Sequence, residues 1–323
     1  MRRVLLTLLL CLAFAPLTMG QQGQAPFAAF WNVENLFDTR HDTLRDDLSF
    51  TPAGDHHWTP QRYAAKQAGI FKVIAAMDCP ALVGLAEVEN DFVLRDLCRS
   101  TPLRRWHYDF VHFESPDRRG VDCALLYRRD LFRCLGSRPI CVSDSSQAFF
   151  TRDILLVGGL LLPGGDTCYL LVNHWPSKLG GGPAEQRRLR IAQRMLAVMD
   201  SLQQCHPSAL VMAMGDFNAS PDEEAVRLGL RFYGTERNDL GFTNLTAAIP
   251  RGTGSYKYRD SWSCIDQVIA NRPLEVSVFA PDFLLQDDPR YLGRKPFRTY
   301  SGMRYLGGFS DHLPVYLDLP LLP

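Results

Sequence analysis

The chain has 323 residues, 46% of them hydrophobic, with 35 Lys and Arg balanced by 35 Asp and Glu, enough for one large or two ordinary folding units. Without Arg2 and Arg3 of the leader-like first twenty residues, 33 basic residues face 35 acidic ones, a formal charge of −2. That balance excludes a protein that grips nucleic acid mainly through bulk charge, so an anionic substrate must be held by local groups or by metal ions.

Residues 1–20, "MRRVLLTLLLCLAFAPLTMG", carry two arginines, an apolar run and a small residue before a glutamine-rich stretch. This is the layout of a signal peptide, which predicts export to a periplasmic or secreted location. A lipoprotein signal ending at Cys11 is disfavoured by Leu10, where a small residue belongs. No later run reaches the ~20 apolar residues of a membrane span, so no integral membrane segment is expected. The mature chain, 21–323, is expected to be one α/β domain and a monomer.

Apolar runs bounded by turn residues predict strands at 27–32 (FAAFWN), 81–87 (ALVGLAE), 122–127 (DCALLY), 169–174 (YLLVNH), 209–214 (ALVMAM), 265–270 (IDQVIA) and 313–319 (LPVYLDL). Two helices interrupt them. In 59–78, Thr59 suits an N-cap and Pro60 a first helical position, while Tyr63, Gln67, Ile70, Ile74 and Met77 share a mostly apolar face. In 183–204, Leu189, Ala192, Met195, Met199 and Leu202 form a stripe opposite a basic face. Three stretches, 39–57, 222–262 and 281–309, lack periodicity, and loops this long are functional or carry small elements of their own. The last mixes Arg290, Arg294, Lys295, Arg298 and Arg304 with Tyr291, Phe297, Tyr300 and Tyr305. Such a mixture either grips phosphates and stacks on bases or forms a solvated loop that plugs the core edge. The eight cysteines after Cys11 are expected to be mostly free, buried thiols.

The strand ends carry the chemistry. "FAAFWNVEN" delivers Asn32 and Glu34, "VGLAEVEN" delivers Glu87, and "LLVNHWPSK" delivers Asn173, His174 and Lys178. "MAMGDFNAS" delivers Asp216 and Asn218, which as residues i and i+2 face the same side of a strand. "SCIDQVIAN" and "GGFSDHLPVYLDL" add Asp266, Asp311 and His312. Each has an ordinary explanation as a turn, cap or strand-end hydrogen bond; their recurrence at successive strand ends does not.

In "GDFN" and "SDHLPV", and more weakly in "WNVENL", "LAEVEN" and "NHWPSK", the chain resembles the endonuclease/exonuclease/phosphatase superfamily. That group includes pancreatic-type DNases, abasic-site endonucleases, sphingomyelinases and inositol polyphosphate 5-phosphatases. The resemblance runs from Asn32 to His312. It implies a DNase I-like four-layer sandwich, two mixed β-sheets face to face and flanked by helices, with the site where strand ends meet.

It also implies a divalent-metal-dependent phosphodiesterase, which the leader-like segment makes a secreted one, with a nuclease as the leading reading. The alternative is a phosphatase or sphingomyelinase-like enzyme acting on lipid or sugar phosphates; a non-catalytic binding protein is a third possibility, disfavoured by the intact water-activating set. Glu87 and Asn32 would hold the metal, with Asp311 as a further ligand and Glu34 as support or as a plain strand-end cap. Mg²⁺ is the implied ion, with Mn²⁺ as a substitute and Ca²⁺ as a structural ion. Asp216 would orient or deprotonate the attacking water, Asn218 would bind the phosphate, and His312 would serve as acid or base with Asp266 as its partner. His174 would be a second imidazole near the leaving group, with Asp122 as the candidate partner. Asn173, Lys178 and Arg298 would contact substrate.

Overall fold

A computed structural model describes residues 27–319 except 148, 180, 234 and 235, so the leader-like segment lies outside the described residues. Two six-stranded sheets form the body. The first contains β1 (Phe27–Leu36), β2 (Leu82–Val88), β3 (Tyr108–His112) and β4 (Asp122–Arg128), joined by the Val276–Val278 and Val315–Asp318 strands. The second contains β5 (Phe132–Ile140), β6 (Ile154–Leu161), β7 (Asp166–His174), β8 (Leu210–Asp216), β9 (Thr243–Asn244) and the Asp266–Ala270 strand.

Each sheet has one parallel pair, β1 with β2 and β7 with β8, and each pair is linked by a helical crossover. The first crossover is α1 (Pro60–Ala76), whose N-cap Thr59 accepts a hydrogen bond from the Arg62 amide. After β2 comes α2 (Asp91–Ser100), capped by Asn90, and the β7–β8 crossover is α3 (Gly181–Cys205). Parallel neighbours require such connections, whereas the antiparallel pairs do not.

Side-chain alternation builds three apolar layers. Phe30, Leu82, Leu125, Val172, Met214 and Val268 meet between the sheets. Trp31, Val33 and Leu85 point the other way, onto Ile70 and Ile74 of α1 and Leu94 and Leu97 of α2. On the far side Leu171, Val211 and Ile269 pack on Ile191, Met195 and Met199 of α3. At about 1.5–3 kcal/mol per buried large apolar side chain, these interfaces dominate the fold's stability. The order is helix, sheet, sheet, helix, which is the sandwich expected.

Strands β3, β5 and β6 lack a clear sequence signal, and β6 shows why. Its "ILLVGGLL" reads as a broken run, yet a Cβ at Gly159 would fall 2.3 Å from Phe132 Cζ and 2.5 Å from Arg133 O on the neighbouring strand. The glycine admits a cross-strand ring. The aperiodic stretches hold small elements: α4 (Glu224–Gly229) and short hairpins at 256–263, 285–296 and 300–305. All eight cysteines among the described residues are free, and Cys79, Cys98, Cys123, Cys168 and Cys264 are buried.

Candidate active site

The second sheet sets three residues on one rung. His174 of β7 pairs with Asp216 of β8, and Asp216 pairs with Asp266 of the next strand. A Cβ at Gly215 would fall 2.3 Å from the Asn173 carbonyl oxygen, so the glycine of "GDFN" is what lets β7 and β8 close at this point. His312, bridged to Tyr256, completes the group: its Nδ1 lies 2.7 Å from Asp266 Oδ2. The Nε2 atoms of His174 and His312 stand 3.7 and 3.8 Å from the same oxygen, Asp216 Oδ2. His312 is fixed from behind by Trp31 Nε1, which donates to its carbonyl, and by Ser310 Oγ, which accepts its amide and donates to Asn32 O.

The first sheet reaches across. Asn32 Nδ2 donates to Asp216 Oδ2 at 3.0 Å, while Asn32 Oδ1 accepts the Glu34 amide. Glu87 accepts the Asn35 amide on Oε2, and its Oε1 lies 3.9 Å from His174 Nε2. The β1–β2 register shifts between Asn32 and Leu36, and Glu34, Asn35 and Glu87 there adopt φ of 54°, 57° and 64°. Asn218, with φ 47°, donates its amide to Asp216 Oδ1 and Nδ2 to Trp175 O. Non-glycine residues hold such conformations at a cost of order 1–3 kcal/mol each, and they gather here because the bulged strand ends turn side chains toward a common centre.

Carboxylates crowd this centre. Glu34 accepts the Thr299 and Tyr300 amides, and Arg298 joins it at 3.6 Å while donating to Asp311 at 2.9 Å. The buried Lys66 of α1 donates to Thr299 Oγ1 and Phe309 O beneath them. Asp266 Oδ1 and His174 Nδ1 are buried without hydrogen-bond partners. The donor set of Glu87, Asn32 and neighbouring carboxylate oxygens fits a hard divalent cation.

The surroundings drive the two imidazoles apart. Burial, with the positive charge of Arg152, Arg119 and His312, holds His174 well below the ordinary histidine range. Burial acts the same way on His312, but the Asp266 and Asp216 carboxylates outweigh it and raise that imidazole well above the range. Burial also lifts the Asp216 carboxyl to about 7, with Asp266 adding and His312 opposing. Lys66 falls to about 8 through burial, against the pull of Glu34, Asp311 and Glu87.

Asn32, Glu34, Glu87, His174, Asp216, Asn218, Asp266, Asp311 and His312 therefore sit in one linked neighbourhood. Two expectations change. Asn173 is fully buried, and its amide is consumed by Leu171 O, Met214 O and the Trp175 indole, so it reaches no substrate. Asp122 is not the partner of His174: its carboxylate accepts the Ser115 amide and faces His112. Lys178 is held by Glu223 at 2.5 Å, a link between the loops that follow Trp175 and Asn218. Arg298, expected to contact substrate, is engaged by Asp311 and Glu34 and remains partly exposed.

Sequence reading also passed over residues that matter. Lys66 lies on the buried face of α1 beside Gln67 and Ile70, and a lysine on an apolar face was the available signal. Arg152 donates to the carbonyls of His174 and Trp175 and to Asp117, and no motif marks it. Tyr256 lays its ring 4.8 Å from the His312 imidazole. A groove of 820 Å³ begins at Ser220, just past Asn218, lined by Arg227, Arg251 and Trp262 with Asp222 and Glu236.

Solved structures share the fold. A humanized D. rerio TDP2 superposes with a TM-score of 0.57 at 17% identity, covering 90% of this chain and 97% of that one. The human Nocturnin catalytic domain with bound sulfate gives 0.57 at 16%, covering 91% and 93%. An endonuclease/exonuclease/phosphatase family protein from Bacteroides thetaiotaomicron gives 0.57 at 15%, covering 91% and 94%. Among curated proteins no sequence matches. The model of the Endonuclease/Exonuclease/phosphatase family matches residues 27–320, and the chain belongs to that family.

Proposed function

We propose that this chain is a divalent-cation-dependent phosphodiesterase, a nuclease in the first instance, whose chemistry runs on the His174–Asp216–Asp266 rung and His312. The observation that carries the reading is the convergence of two imidazoles on one oxygen, Asp216 Oδ2, at 3.7 and 3.8 Å, with burial holding His174 low and neighbouring carboxylates raising His312 against burial. Pairs of titratable groups driven apart in this way mark acid and base roles.

Asp216, lifted to about 7, is the base that orients the attacking water and takes its proton. The Asn32 amide and the Asn218 backbone amide fix its two oxygens. The Asn218 side chain, anchored on Trp175 O, has a second N–H to offer a phosphoryl oxygen. His312 is held cationic by Asp266, which also fixes its orientation, so its Nε2–H supplies charge or a proton to the reacting phosphate. His174, kept neutral, acts as a hydrogen-bonding group beside Glu87. A Mg²⁺ or Mn²⁺ ion held by Glu87 and Asn32, with Asp311 at hand, would neutralise charge on the phosphoryl and leaving oxygens.

Substrate choice follows from the surface. The groove with Arg227, Arg251 and Trp262 beside the site suits an extended phosphodiester with bases to stack. One D. rerio TDP2 structure of the same fold is complexed with a single strand DNA product, which supports that choice by analogy. The near-zero net charge favours the second reading, a lipid or sugar phosphate. Incubation with plasmid DNA, RNA, sphingomyelin and inositol phosphates, in Mg²⁺ or EDTA and beside Asp216→Asn, decides: cleavage confined to lipid or sugar phosphates removes the nuclease. The layout of residues 1–20 supports export, and N-terminal sequencing of the protein from culture fluid or periplasm tests it by a start near Gln21.

A further inference from the structure

A second polar cluster lies at the β3–β4 corner, apart from the catalytic rung. His112 ends β3, Asp122 opens β4, and Glu114 lies between; one ligand atom from each falls within 4.8 Å of the others. Asp122 is 2% exposed, and while its Oδ1 accepts the Ser115 amide, Oδ2 has no hydrogen-bond partner. The His112 side chain is also 2% exposed, and its Nε2 is likewise without one. These two atoms face each other at 3.6 Å. That is beyond N–H···O hydrogen-bond length, and leaving both unmet underground is unfavourable.

A cation resolves both. Ligands about 2.1 Å from a tetrahedral Zn²⁺-type centre stand about 3.4 Å apart, close to the separation seen. The opposite ring nitrogen is already set for this: Nδ1 lies 2.9 Å from Asp91 Oδ1, the carboxylate contact that keeps the proton there and frees the Nε2 lone pair. Arg45 holds the connection in shape through Ser115 O, Asp117 O and Glu114 Oε2. Three carboxylates, Asp91, Glu114 and Asp122, against one guanidinium leave negative charge for a cation to neutralise.

We propose that His112 Nε2, Asp122 Oδ2 and a Glu114 carboxylate oxygen bind a Zn²⁺-class divalent cation. The mixed nitrogen and oxygen donors select this class over Mg²⁺ or Ca²⁺. Asp122 pairs with Val88 where the β2–β4 register shifts past Glu87, so the ion clips the β3–β4 corner to the strand end that carries Glu87. The competing occupant is a proton, with His112 an imidazolium between Asp91 and Asp122.

Chelator-stripped full chain dialysed against Co²⁺ tests this. The wild type should retain one equivalent more than Glu114→Gln or Asp122→Asn, and the same difference should persist in a Glu87→Gln background. The His112 imidazole resonances should shift and broaden with Co²⁺ in the wild type only. Equal retention in all chains, with unmoved His112 resonances, overturns the proposal in favour of the proton. Should Asp122→Asn fail to fold, Glu114→Gln, whose side chain is 53% exposed, carries the comparison.

Discussion

Asp266 Oδ2 lies 2.7 Å from His312 Nδ1, and neither residue reaches the other without the fold: one opens the next-to-edge strand of the second sheet and the other precedes the next-to-edge strand of the first. The pair thus straddles the two sheets at the point where the phosphate is proposed to sit. Asp266 is fully buried, so the imidazolium it holds is screened little by solvent.

Replacing Asp266 by Asn keeps the shape and removes the charge. Turnover should fall by about 10²–10⁴-fold with KM little changed, because an amide no longer selects the cationic, correctly oriented imidazole. Steady-state kinetics on a cleaved phosphodiester check this. A uniform rise in KM at constant kcat would assign Asp266 to binding instead.

Glu87→Gln should weaken Mg²⁺. Glu87 Oε2 is already fixed by the Asn35 amide, so the variant keeps its position but loses the charge. Half-activation should require about 10–100-fold more Mg²⁺, with much of kcat recovered at saturation. Unaltered Mg²⁺ dependence would place the ion elsewhere.

Protons and cations compete for this cluster. With its folded value near 7 and an ordinary value of about 3.9, the Asp216 carboxyl binds more protons folded than unfolded between those limits. Its contribution to stability is therefore full below pH ~4 and lost as pH rises through about 7. Mg²⁺ should raise the thermal midpoint more at pH 8 than at pH 5.5, and differential scanning fluorimetry at both values reads the difference. An equal shift at the two values contradicts the raised carboxyl.

Arg152→Met should destabilise the fold, and it also removes one of the positive charges that hold His174 low. The guanidinium is buried, bonded to Asp117 at 2.9 Å and to the carbonyls of His174 and Trp175. Its loss strands a buried carboxylate and should cost about 3–5 kcal/mol in urea unfolding. A change below about 1 kcal/mol would show that the pair is solvated.

What was legible in the sequence was the set of polar residues at strand ends. Asp216 and Asn218 announce themselves because a buried run stops at a carboxylate, and His312 because "SDHLPV" precedes an apolar strand. What was not legible depends on partners far along the chain. Asn173 looks like a site residue next to His174, but strand alternation turns it inward onto Trp175. Asp122 looked available to His174 until β3 brought His112 beside it. Lys66 is buried only because 281–309 folds over α1 and gives its ammonium Thr299 and Phe309. The double glycine of β6 hid a strand because the rings that require it lie on neighbours.

The central claim is that Glu87, Asp216, Asp266 and His312 hydrolyse a phosphodiester together with a divalent cation. The most direct measurement is hydrolysis of a phosphodiester by the purified protein in Mg²⁺ and in EDTA, beside Asp216→Asn. Turnover that requires Mg²⁺ and falls at least about 10²-fold in the variant is the expected result. Turnover that survives EDTA, or that Asp216→Asn leaves intact, would contradict it.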